Sequence, residues 1–388
     1  MLLLKILFWT SVIALFHSYI FYPVLLQILS IFKKPNQLIY QEEENLPAVS
    51  ILMAAYNEEK VIAEKIESIF RTTYPKQKIQ LIIGSDNSSD QTNEIIRNFC
   101  KTYFQIELEE FKSRKGKSTI VNELYKKAKG DILIVTDANV IFEPGSIYEL
   151  VKHFKNEKIA LVDSNMINKG LKKEGISVQE KTYIKAEVSI KNAESKLWGC
   201  MMGPFGGCYA LRKNFFSEIP PDFLVDDFYI NMKVLEKGGK CINEKKALVL
   251  EDVSNDLPEE FRRKVRIATG NFQNLFSFFH LLFKFNAISF CFFSHKVLRW
   301  LGPLLIITAY VSSLLLVQIE FYKWIFILQS FFYSIPFLDF LLKKINIHVV
   351  ILRFVTHLLA MNVALLFGML RFFQGVESGV WNPTRRHQ

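Results

Sequence analysis

Asp137 and Asn139 lie just after a short apolar run that ends before Thr136, which makes them the first candidates for chemistry in this chain. The run, Ile132–Val135, contains only β-branched and aliphatic residues, a pattern typical of a strand buried on both faces. In open α/β sheets, ligands bind outside the carboxyl ends of the strands. Asp and Asn are also favoured in turns, so this segment alone leaves both interpretations open.

Polar side chains follow two other predicted strands in the same way. Tyr56 and Glu58 come after one apolar run, and Asp86 comes after the next. Because the carboxyl ends of parallel strands meet at one edge of a sheet, we expect these side chains to lie near Asp137. Acidic groups gathered in one place need a cation or hydroxyl groups as partners. The sequence therefore predicts one binding site at this edge.

The segments that must position these residues alternate between strand and helix patterns. The predicted strands are Val49–Met53, Leu81–Ile83, Ile106–Leu108 and Ile132–Val135, and the predicted helices are Val61–Phe70, Gln91–Cys100, Lys117–Ala128, Asp227–Lys237 and Glu259–Asn274. Repeated strand–helix units build a parallel sheet with helices on both faces. The predicted fold class is therefore α/β with a mostly parallel sheet.

Apolar sequence near both ends of the chain indicates membrane helices. Of the 388 residues, 50% are hydrophobic and 35 are Phe, which is too apolar for an ordinary soluble protein of this length. Residues 2–32 are long enough to span a bilayer, and Lys33 and Lys34 after them predict that the following domain is cytoplasmic. Further candidate spans are Val297–Val317, Tyr322–Leu342 and Ile347–Leu370. We expect a multi-pass protein of a cell membrane, of the bacterial inner membrane type.

These patterns divide the chain into five segments. We expect an N-terminal transmembrane helix at 1–34, a globular α/β domain at 47–274, an interfacial helix region at 275–293, C-terminal transmembrane helices at 295–374 and a cytoplasmic tail at 375–388. One span before the globular domain and three after it would place the tail outside the cell. A further crossing or a re-entrant segment would return it to the cytoplasm, so the side of the tail stays open.

The charge and the cysteines exclude other classes of protein. The net charge is +10, but Lys and Arg are scattered over helices and flank the apolar segments, which favours contact with lipid headgroups and phosphates and predicts no nucleic-acid partner. The five cysteines include no C-x-x-C pair. This pattern is typical of a reducing compartment and argues against a disulfide framework or a zinc site.

Basic residues in two places are candidates for binding phosphates. Arg263 and Arg266 lie three residues apart, on one face of a predicted helix, where guanidinium groups can bind a diphosphate bidentately. The alternative is a basic helix on the membrane surface, with these arginines on lipid phosphates. Lys115 and Lys117 flank Gly116 and could reach the same phosphates, or they belong to a solvated charge run.

Taken together, these segments resemble membrane-embedded family 2 glycosyltransferases, which have the GT-A nucleotide-sugar-binding fold. The matching segments, which occur in the order of the family and cover about 49–274, are Ala55–Glu59, Ser85–Asp90, Arg114–Lys117, Thr136–Asn139, Asp226–Asp227 and Arg263–Ile267. Cellulose, hyaluronan and poly-N-acetylglucosamine synthases share this layout. Each motif is weak alone, and the ordered set is specific.

The resemblance implies roles at the donor end of the site. Tyr56, Glu58 and Asp86 are expected to hold the nucleoside of a nucleotide-diphosphate sugar, with a UDP-sugar favoured. Asp137 and Asn139 are expected to form the motif that binds Mg²⁺ or Mn²⁺ and the diphosphate. The family usually has a second Asp where this chain has Asn139, and an amide oxygen is a weaker, neutral ligand.

The resemblance also assigns the acidic pair. Asp227 is expected to be the catalytic base, with Asp226 beside it, because the acceptor hydroxyl must lose its proton as it attacks the anomeric carbon. A close like-charged neighbour raises the pKa of a carboxyl group, which suits this role. The alternative is that Asp226 only caps the helix that follows it.

The remaining implied roles concern the leaving group, the acceptor and the tail. Arg263 stands where the family has Gln and Ile267 where it has Trp, which puts the stacking platform for the acceptor sugar in doubt. The candidate residues for acceptor binding are Trp198, Gly206 and Gly207, although a buried core Trp is the commoner case. Trp381, Thr384 and Arg385 are similar to the gating element of processive synthases.

We therefore expect an inverting glycosyltransferase that extends a polysaccharide from a nucleotide-diphosphate sugar at the cytoplasmic face of a membrane. A single transfer to a lipid carrier or a lipid-linked oligosaccharide is the alternative within the same class. A nucleotide-sensing membrane transporter or scaffold is the alternative of another class, and the concentration of acid, base and leaving-group candidates in the globular segment argues against it.

Overall fold

The residues that the computed structural model describes are 1–169, 177–252, 257–345, 347–376 and 379, and in them eight strands form one sheet. The strands are β1 Val49–Ala55, β2 Ile79–Ser85, β3 Ile106–Glu110, β4 Ile132–Asp137, β5 Val140–Phe142, β6 Ile159–Lys169, β7 Cys208–Arg212 and β8 Lys240–Asp252. Their order across the sheet is β3-β2-β1-β4-β7-β6-β8-β5.

The first four strands form the parallel half of the sheet. All seven residues of β1 are buried, and β2 and β4 pair with it in parallel on its two sides. The mostly parallel α/β sheet predicted from the sequence is confirmed. The second half is mixed, because β7 is antiparallel to β4 and to β6, β8 is parallel to β6, and β5 is antiparallel to β8.

Each helix predicted in the globular segment is present. The helices of the described residues are α1 Leu2–Phe16, α2 Tyr22–Ser30, α3 Ile62–Phe70, α4 Thr92–Thr102, α5 Lys117–Lys127, α6 Ser146–Val151, α7 Ser177–Leu197, α8 Asp226–Glu236, α9 Leu257–Ser277, α10 Ala287–Cys291, α11 Leu298–Trp300, α12 Gly302–Leu315, α13 Glu320–Lys344 and α14 Val350–Gln374. Helices α3, α4 and α6 cover one face of the sheet, and α5, α8 and α9 cover the other.

Three helices of the described residues are long and apolar enough to cross a membrane: Leu2–Ser30, in which a π-helical turn joins α1 to α2, and the helices α13 and α14. The predicted span Val297–Val317 differs from the structure. Residues Ala287–Trp300 and Gly302–Leu315 form a pair of helical segments bent by 61°, with Pro303 in the first turn after the bend. Proline lacks the N–H that would continue the helix, which explains the break.

Helix α14 packs along α9, at the boundary between the apolar helices and the globular domain. A Cβ added at Gly368 would lie 2.3 Å from Cβ of Ala268, so the two helices approach as closely as a glycine allows. After α14, the chain at Gly379 lies against the carbonyl of Pro221, in the loop before α8. The candidate gating residues Trp381, Thr384 and Arg385 lie outside the described residues.

Candidate active site

The carboxyl ends of three parallel strands meet at one edge of the sheet. Ala55, at the end of β1, pairs with Ser85 of β2, and Ala54 pairs with Asp137 of β4. Asp86 follows Ser85 directly. The strand register therefore places Asp86 and Asp137 on the two sides of β1, at the edge where the sequence predicted a site.

Asp86 is fully buried and is held by a basic loop. Its carboxylate accepts hydrogen bonds from Nε of Arg114 at 3.1 Å, from the backbone N–H of Lys115 at 2.6 Å and from that of Gly116 at 3.2 Å. The guanidinium group of Arg114 also lies 3.3 Å from the centre of the Tyr56 ring. The loop before α5 thus joins two of the residues predicted to hold a nucleoside.

The loop after β1 is held against the segment that follows β2. Asn57 has a left-handed backbone with φ of 52°, and its N–H donates to Oγ of Ser88 at 3.2 Å. The N–H of Glu58 donates to Oγ1 of Thr92 at 2.8 Å. These bonds fix the backbone on which the Tyr56 and Glu58 side chains are carried.

Lys117, the first residue of α5, links two of the predicted acidic residues. Its Nζ lies 2.8 Å from Oδ1 of Asp137 and 3.5 Å from Oδ2 of Asp226. Burial disfavours the ammonium ion, but the carboxylates of Asp137 and Asp226 outweigh it and raise the pKa of Lys117 above its usual value. Lys117 is therefore a permanent positive charge between a strand end and the acidic pair.

Asp226 and Asp227 form the first turn of α8. Val225 is the N-cap residue and makes no side-chain cap, so the alternative in which Asp226 caps the helix is wrong. Burial, and after it the neighbouring Asp226 carboxylate, raise the pKa of Asp227 to about 7. A carboxyl group that titrates near neutral pH is suited to accept a proton during catalysis.

Arg266 of α9 lies near the same carboxylates. Burial, followed by the neighbouring Arg263, lowers the pKa of Arg266, while the nearby carboxylates of Asp226, Asp137 and Asp227 oppose this shift. Arg263 is also within ion-pair distance of Glu260, at 3.4 Å. The structure therefore brings α9 to the acidic pair. Arg266 interacts with the carboxylates of the acidic pair and Asp137, whereas Arg263 lies near Glu260.

Three residues of α9 that the sequence did not single out fix this helix to the start of α8. A Cβ at Gly270 would lie 2.5 Å from Cγ2 of Val225, and Nδ2 of Asn274 donates to the Val225 carbonyl at 3.0 Å. Gln273 accepts from the N–H of Leu224 and donates to the carbonyl of Asp222, each at 3.0 Å. The segment before the acidic pair is thereby held by α9 along its backbone.

The glycine-rich loop before β7 forms another wall of the site. A Cβ at Gly206 would lie 2.9 Å from Oδ2 of Asp227, so this glycine allows the loop to contact the acidic pair. The carbonyl of Gly207 accepts from the N–H of Asp137 at 3.0 Å and from Oγ1 of Thr136 at 2.9 Å. The predicted acceptor residues Gly206 and Gly207 therefore lie beside Asp227 and Asp137.

Trp198, the third predicted acceptor residue, makes its ring contacts elsewhere. Its ring meets Phe290 edge-on at 6.1 Å, and it packs against the cluster that contains Tyr22 and Leu26 of the N-terminal helix. These contacts are those of a core aromatic residue between the globular domain and the apolar helices. Its surroundings therefore fit a Trp buried in the core, which is the commoner case for a lone Trp.

A buried lysine behind the site was missed from the sequence. Lys65 of α3 is fully buried, and its Nζ donates to Oγ1 of Thr136 at 2.9 Å and to the carbonyl of Val140. Burial lowers its pKa to about 7. Because Thr136 and Val140 flank Asp137 and Asn139, Lys65 fixes the turn between β4 and β5 from beneath.

A carboxylate that was not predicted lies beside the predicted metal ligand Asn139. Nδ2 of Asn139 donates to Oε1 of Glu251 at 3.1 Å, which leaves the amide oxygen of Asn139 as an acceptor. Glu251 lies at the end of β8, opposite Val140 of β5, and was not predicted. No group of three His, Cys, Asp or Glu side chains in the described part of the chain could hold a metal by itself. A donor set of Asp137, Asn139 and Glu251 oxygens has the chemistry that Mg²⁺ or Mn²⁺ requires.

Gly206→Ala is expected to lower transfer by about 10- to 100-fold, because the new methyl group would push the loop or the Asp227 carboxylate out of position. Binding of UDP should be unchanged, since the nearest atoms to this Cβ belong to Asp227, whereas Asp86 is held by the loop before α5. Gly145→Ala is the matched control, because a Cβ there meets nothing within 4 Å. Steady-state transfer rates and titration with UDP would measure the two effects for each variant. Equal effects of Gly206→Ala and Gly145→Ala would contradict a role of Gly206 in positioning Asp227.

An eight-stranded α/β sheet with acidic residues at the ends of its parallel strands fits the GT-A fold of nucleotide-sugar enzymes. Residues 50–219 match the family model described as Glycosyl transferase family 2. A mannosyltransferase from Pyrobaculum calidifontis, solved in complex with GDP-Man and Mn²⁺, shares the fold with a TM-score of 0.70 over 95% of this chain and 99% of its own, at 17% identity. The GT-A fold predicted from the sequence is confirmed.

Two curated relatives agree with this class. A poly-beta-1,6-N-acetyl-D-glucosamine synthase of Staphylococcus epidermidis is 24% identical over 317 residues, which cover 78% of this chain and 76% of that protein. The probable glycosyltransferase YdaM of Bacillus subtilis is 35% identical over 120 residues, which cover 30% of this chain and only 29% of that protein. Residues 50–219 therefore form a family 2 glycosyltransferase domain, and these matches favour an enzyme over a nucleotide-sensing transporter or scaffold.

Proposed function

We propose that this enzyme is an inverting glycosyltransferase that transfers a sugar from a nucleotide-diphosphate sugar, with a UDP-sugar favoured, to a growing polysaccharide. The observation that carries the proposal is the placement of Asp227, with a pKa of about 7, between the glycine loop and the Lys117–Asp137 ion pair. A base of this kind lies between a site for an acceptor and a site for a charged donor.

The donor would be held by residues on both sides of β1. Tyr56, Glu58 and Asp86 would bind the nucleoside, and the diphosphate would lie toward Lys117 and the arginines of α9. Asp137, Asn139 and Glu251 would hold Mg²⁺ or Mn²⁺, which neutralises charge on a diphosphate. This placement lets Arg266 stabilise the leaving group as negative charge develops on it.

Asp227 would accept the proton of the acceptor hydroxyl. The hydroxyl oxygen forms the new bond to the anomeric carbon as the bond from that carbon to the diphosphate oxygen breaks, and the nucleoside diphosphate leaves with the electron pair. A single displacement of this kind inverts the anomeric configuration. Asp226 would serve this step by raising the pKa of its neighbour, since two close carboxylates cannot both ionise easily.

The apolar helices support action at a membrane, with the globular domain on the cytoplasmic side of a bacterial inner membrane. The lysines after the N-terminal helix favour that side. The contact of Gly379 with Pro221 supports a C-terminal tail on the same side as the globular domain. In that arrangement, Trp381, Thr384 and Arg385 would be able to reach back toward the donor site.

Transfer of one sugar to a lipid carrier or a lipid-linked oligosaccharide is the second candidate function. The arginine helix α9 packs directly on the apolar helix α14, so the leaving-group side of the site adjoins the lipid-facing helices. The described residues contain three candidate spans, or up to four if the bent pair counts as one. This small number of membrane helices is compatible with an enzyme that takes its acceptor from the bilayer, and also with one that extends a chain.

The decisive experiment is to incubate the full chain in lipid nanodiscs with radiolabelled UDP-sugars and GDP-mannose and to resolve the products by size. Release of nucleoside diphosphate with a ladder of long products would support polysaccharide synthesis. A single added sugar in the lipid fraction would support the second candidate. Donor binding without release of nucleoside diphosphate from any donor in the panel would contradict both.

Arg266→Ala is expected to lower kcat by about 100- to 1,000-fold, as the loss of a preorganised donor to developing charge does in other enzymes. Arg262→Ala is the control, because Arg262 lies on the same helix and is exposed. If the arginines only bound lipid phosphates, the two variants would weaken vesicle binding alike and leave kcat unchanged. Measuring kcat and flotation with anionic vesicles for both variants separates the two outcomes.

A further inference from the structure

The backbone of the loop that contacts Asp227 is held by three buried side chains. The N–H of Met202 donates to Oε2 of Glu194 at 2.9 Å, and the N–H of Gly203 donates to Oδ1 of Asn231 at 2.9 Å. The third bond runs from the N–H of Phe205 to Oδ1 of Asp163 at 3.0 Å. The loop is therefore fixed in one conformation by side chains of α7, α8 and β6.

Glu194 connects this loop to the N-terminal apolar helix. Its side chain is fully buried, and its second oxygen, Oε1, accepts from the hydroxyl of Tyr22 at 2.8 Å. Nδ1 of His295, in the π-helical turn Phe292–Val297, lies 2.8 Å from the same oxygen. One carboxylate thus joins α2, α7, the turn before α11 and the loop at Met202.

The same face of α7 makes a second connection. Lys191 precedes Glu194 by three residues and therefore lies on its side of the helix. Its Nζ is 3.2 Å from Oδ2 of Asp163 and 3.5 Å from the centre of the Phe205 ring. Glu187, four residues before Lys191, lies 3.1 Å from Nη1 of Arg299. A buried row of charged side chains therefore runs from the apolar helices to the loop.

We propose that Glu194 is a positioning residue through which the seating of the N-terminal helix sets the conformation of the loop 202–207, and so the acceptor side of the active site. The inference rests on the proposed function only in identifying this side of the active site as the one that binds the acceptor. The hydrogen bond from the Tyr22 hydroxyl offsets part of the free-energy cost of burying the Glu194 carboxylate. Without this hydrogen bond, Glu194 holds the Met202 amide less firmly. Donor binding, which uses residues at the ends of β1, β2 and β4, would be independent of this link.

The test compares three variants of the full chain in lipid nanodiscs. Tyr22→Phe removes one hydroxyl, and Glu194→Gln keeps the shape of the side chain but removes one acceptor from the network. Gln27→Ala is the matched control, because Gln27 donates to Oγ of Ser189 at 2.9 Å and so also joins α2 to α7, without reaching the loop. The measurements are amide hydrogen exchange of peptides covering 202–207, UDP affinity, and KM for acceptor where turnover is found.

Tyr22→Phe and Glu194→Gln are expected to speed exchange in 202–207 by about tenfold, the effect of losing one buried hydrogen bond, with UDP affinity unchanged. KM for the acceptor should rise by a similar factor with kcat little changed. Unchanged exchange in Tyr22→Phe, or an equal increase in Gln27→Ala, would overturn the inference. Because exchange needs no substrate, a wild-type protein that turns over no donor would contradict the proposed function alone.

Discussion

Asp227→Asn is expected to lower kcat by about 100- to 10,000-fold, which is the range that general base catalysis supplies, and to leave the affinity for UDP unchanged. The amide has the shape of the carboxylic acid but cannot accept the proton of the acceptor hydroxyl. Asp227 lies on α8 beside Gly206, whereas Asp86 is held by Arg114 and by the N–H groups of Lys115 and Gly116, so we expect the contacts of Asp86 to be unaffected. Rates of nucleoside diphosphate release and calorimetric titration with UDP would measure the two effects.

The same base should govern the pH dependence. A carboxyl group with a pKa raised to about 7 is protonated below that pH and ionised above it. Because only the ionised form accepts a proton, kcat/KM should rise about tenfold per pH unit below about pH 7 and level off above it. Asp222→Asn, a change at an exposed carboxylate in the loop before α8, should keep both the rate and the profile. Normal activity of Asp227→Asn, or a flat profile in the wild type, would exclude Asp227 as the base.

The parallel half of the fold could be predicted because its pattern is local. Each strand is a short apolar run followed by polar residues, and each helix returns the chain to the same sheet. The rule that parallel strands end at one edge then brings Asp86 and Asp137 together without knowledge of any contact. Glu251 ends a similar apolar run, Leu248–Leu250, and the same rule would have found it if the run had been recognised as a strand.

The second half could not be derived in this way, because its pairings join segments far apart in the chain. Val140 pairs with Glu251, and no local pattern specifies that β5 lies beside β8. The backbone contacts of Gln273 and Asn274 likewise depend on how α9 docks on the loop before α8. The break at Pro303, in contrast, could have been predicted from local sequence, because the Gly302–Pro303 pair is a signal for a helix end within the predicted span.

The role of Asp226 shows how a shift of one residue changes an assignment. Placing the start of α8 at Asp227 makes Asp226 a natural cap, and helix boundaries are the least certain part of any prediction from sequence. In the structure, the helix begins at Asp226, and both carboxylates lie in its first turn. The pair is therefore held close together in a partly buried place, which is what raises the pKa of Asp227.

Lys117→Met should have the second large effect, because it removes a side chain that is ion-paired with both Asp137 and Asp226. Without this ammonium group, the carboxylates of Asp137 and Asp226 would repel a diphosphate more strongly. We expect UDP affinity to fall by about 100-fold. The pH midpoint of kcat/KM should also move upward, because Lys117 opposes the rise in the pKa of Asp227. Calorimetry with UDP and a pH–rate profile would measure the two effects.

A second substitution separates this electrostatic role from a general loss of stability. Asp226→Asn in the Lys117→Met background removes one of the negative charges that Lys117 balanced, so it should restore part of the UDP affinity. A variant that had simply lost its fold would gain nothing. Lys115→Met is the matched control, since Lys115 belongs to the same basic run and is exposed. If Lys115→Met weakened UDP binding as much as Lys117→Met, the donor phosphates would be held by the overall charge of the loop, and the ion pairs of Lys117 would have no special part in it.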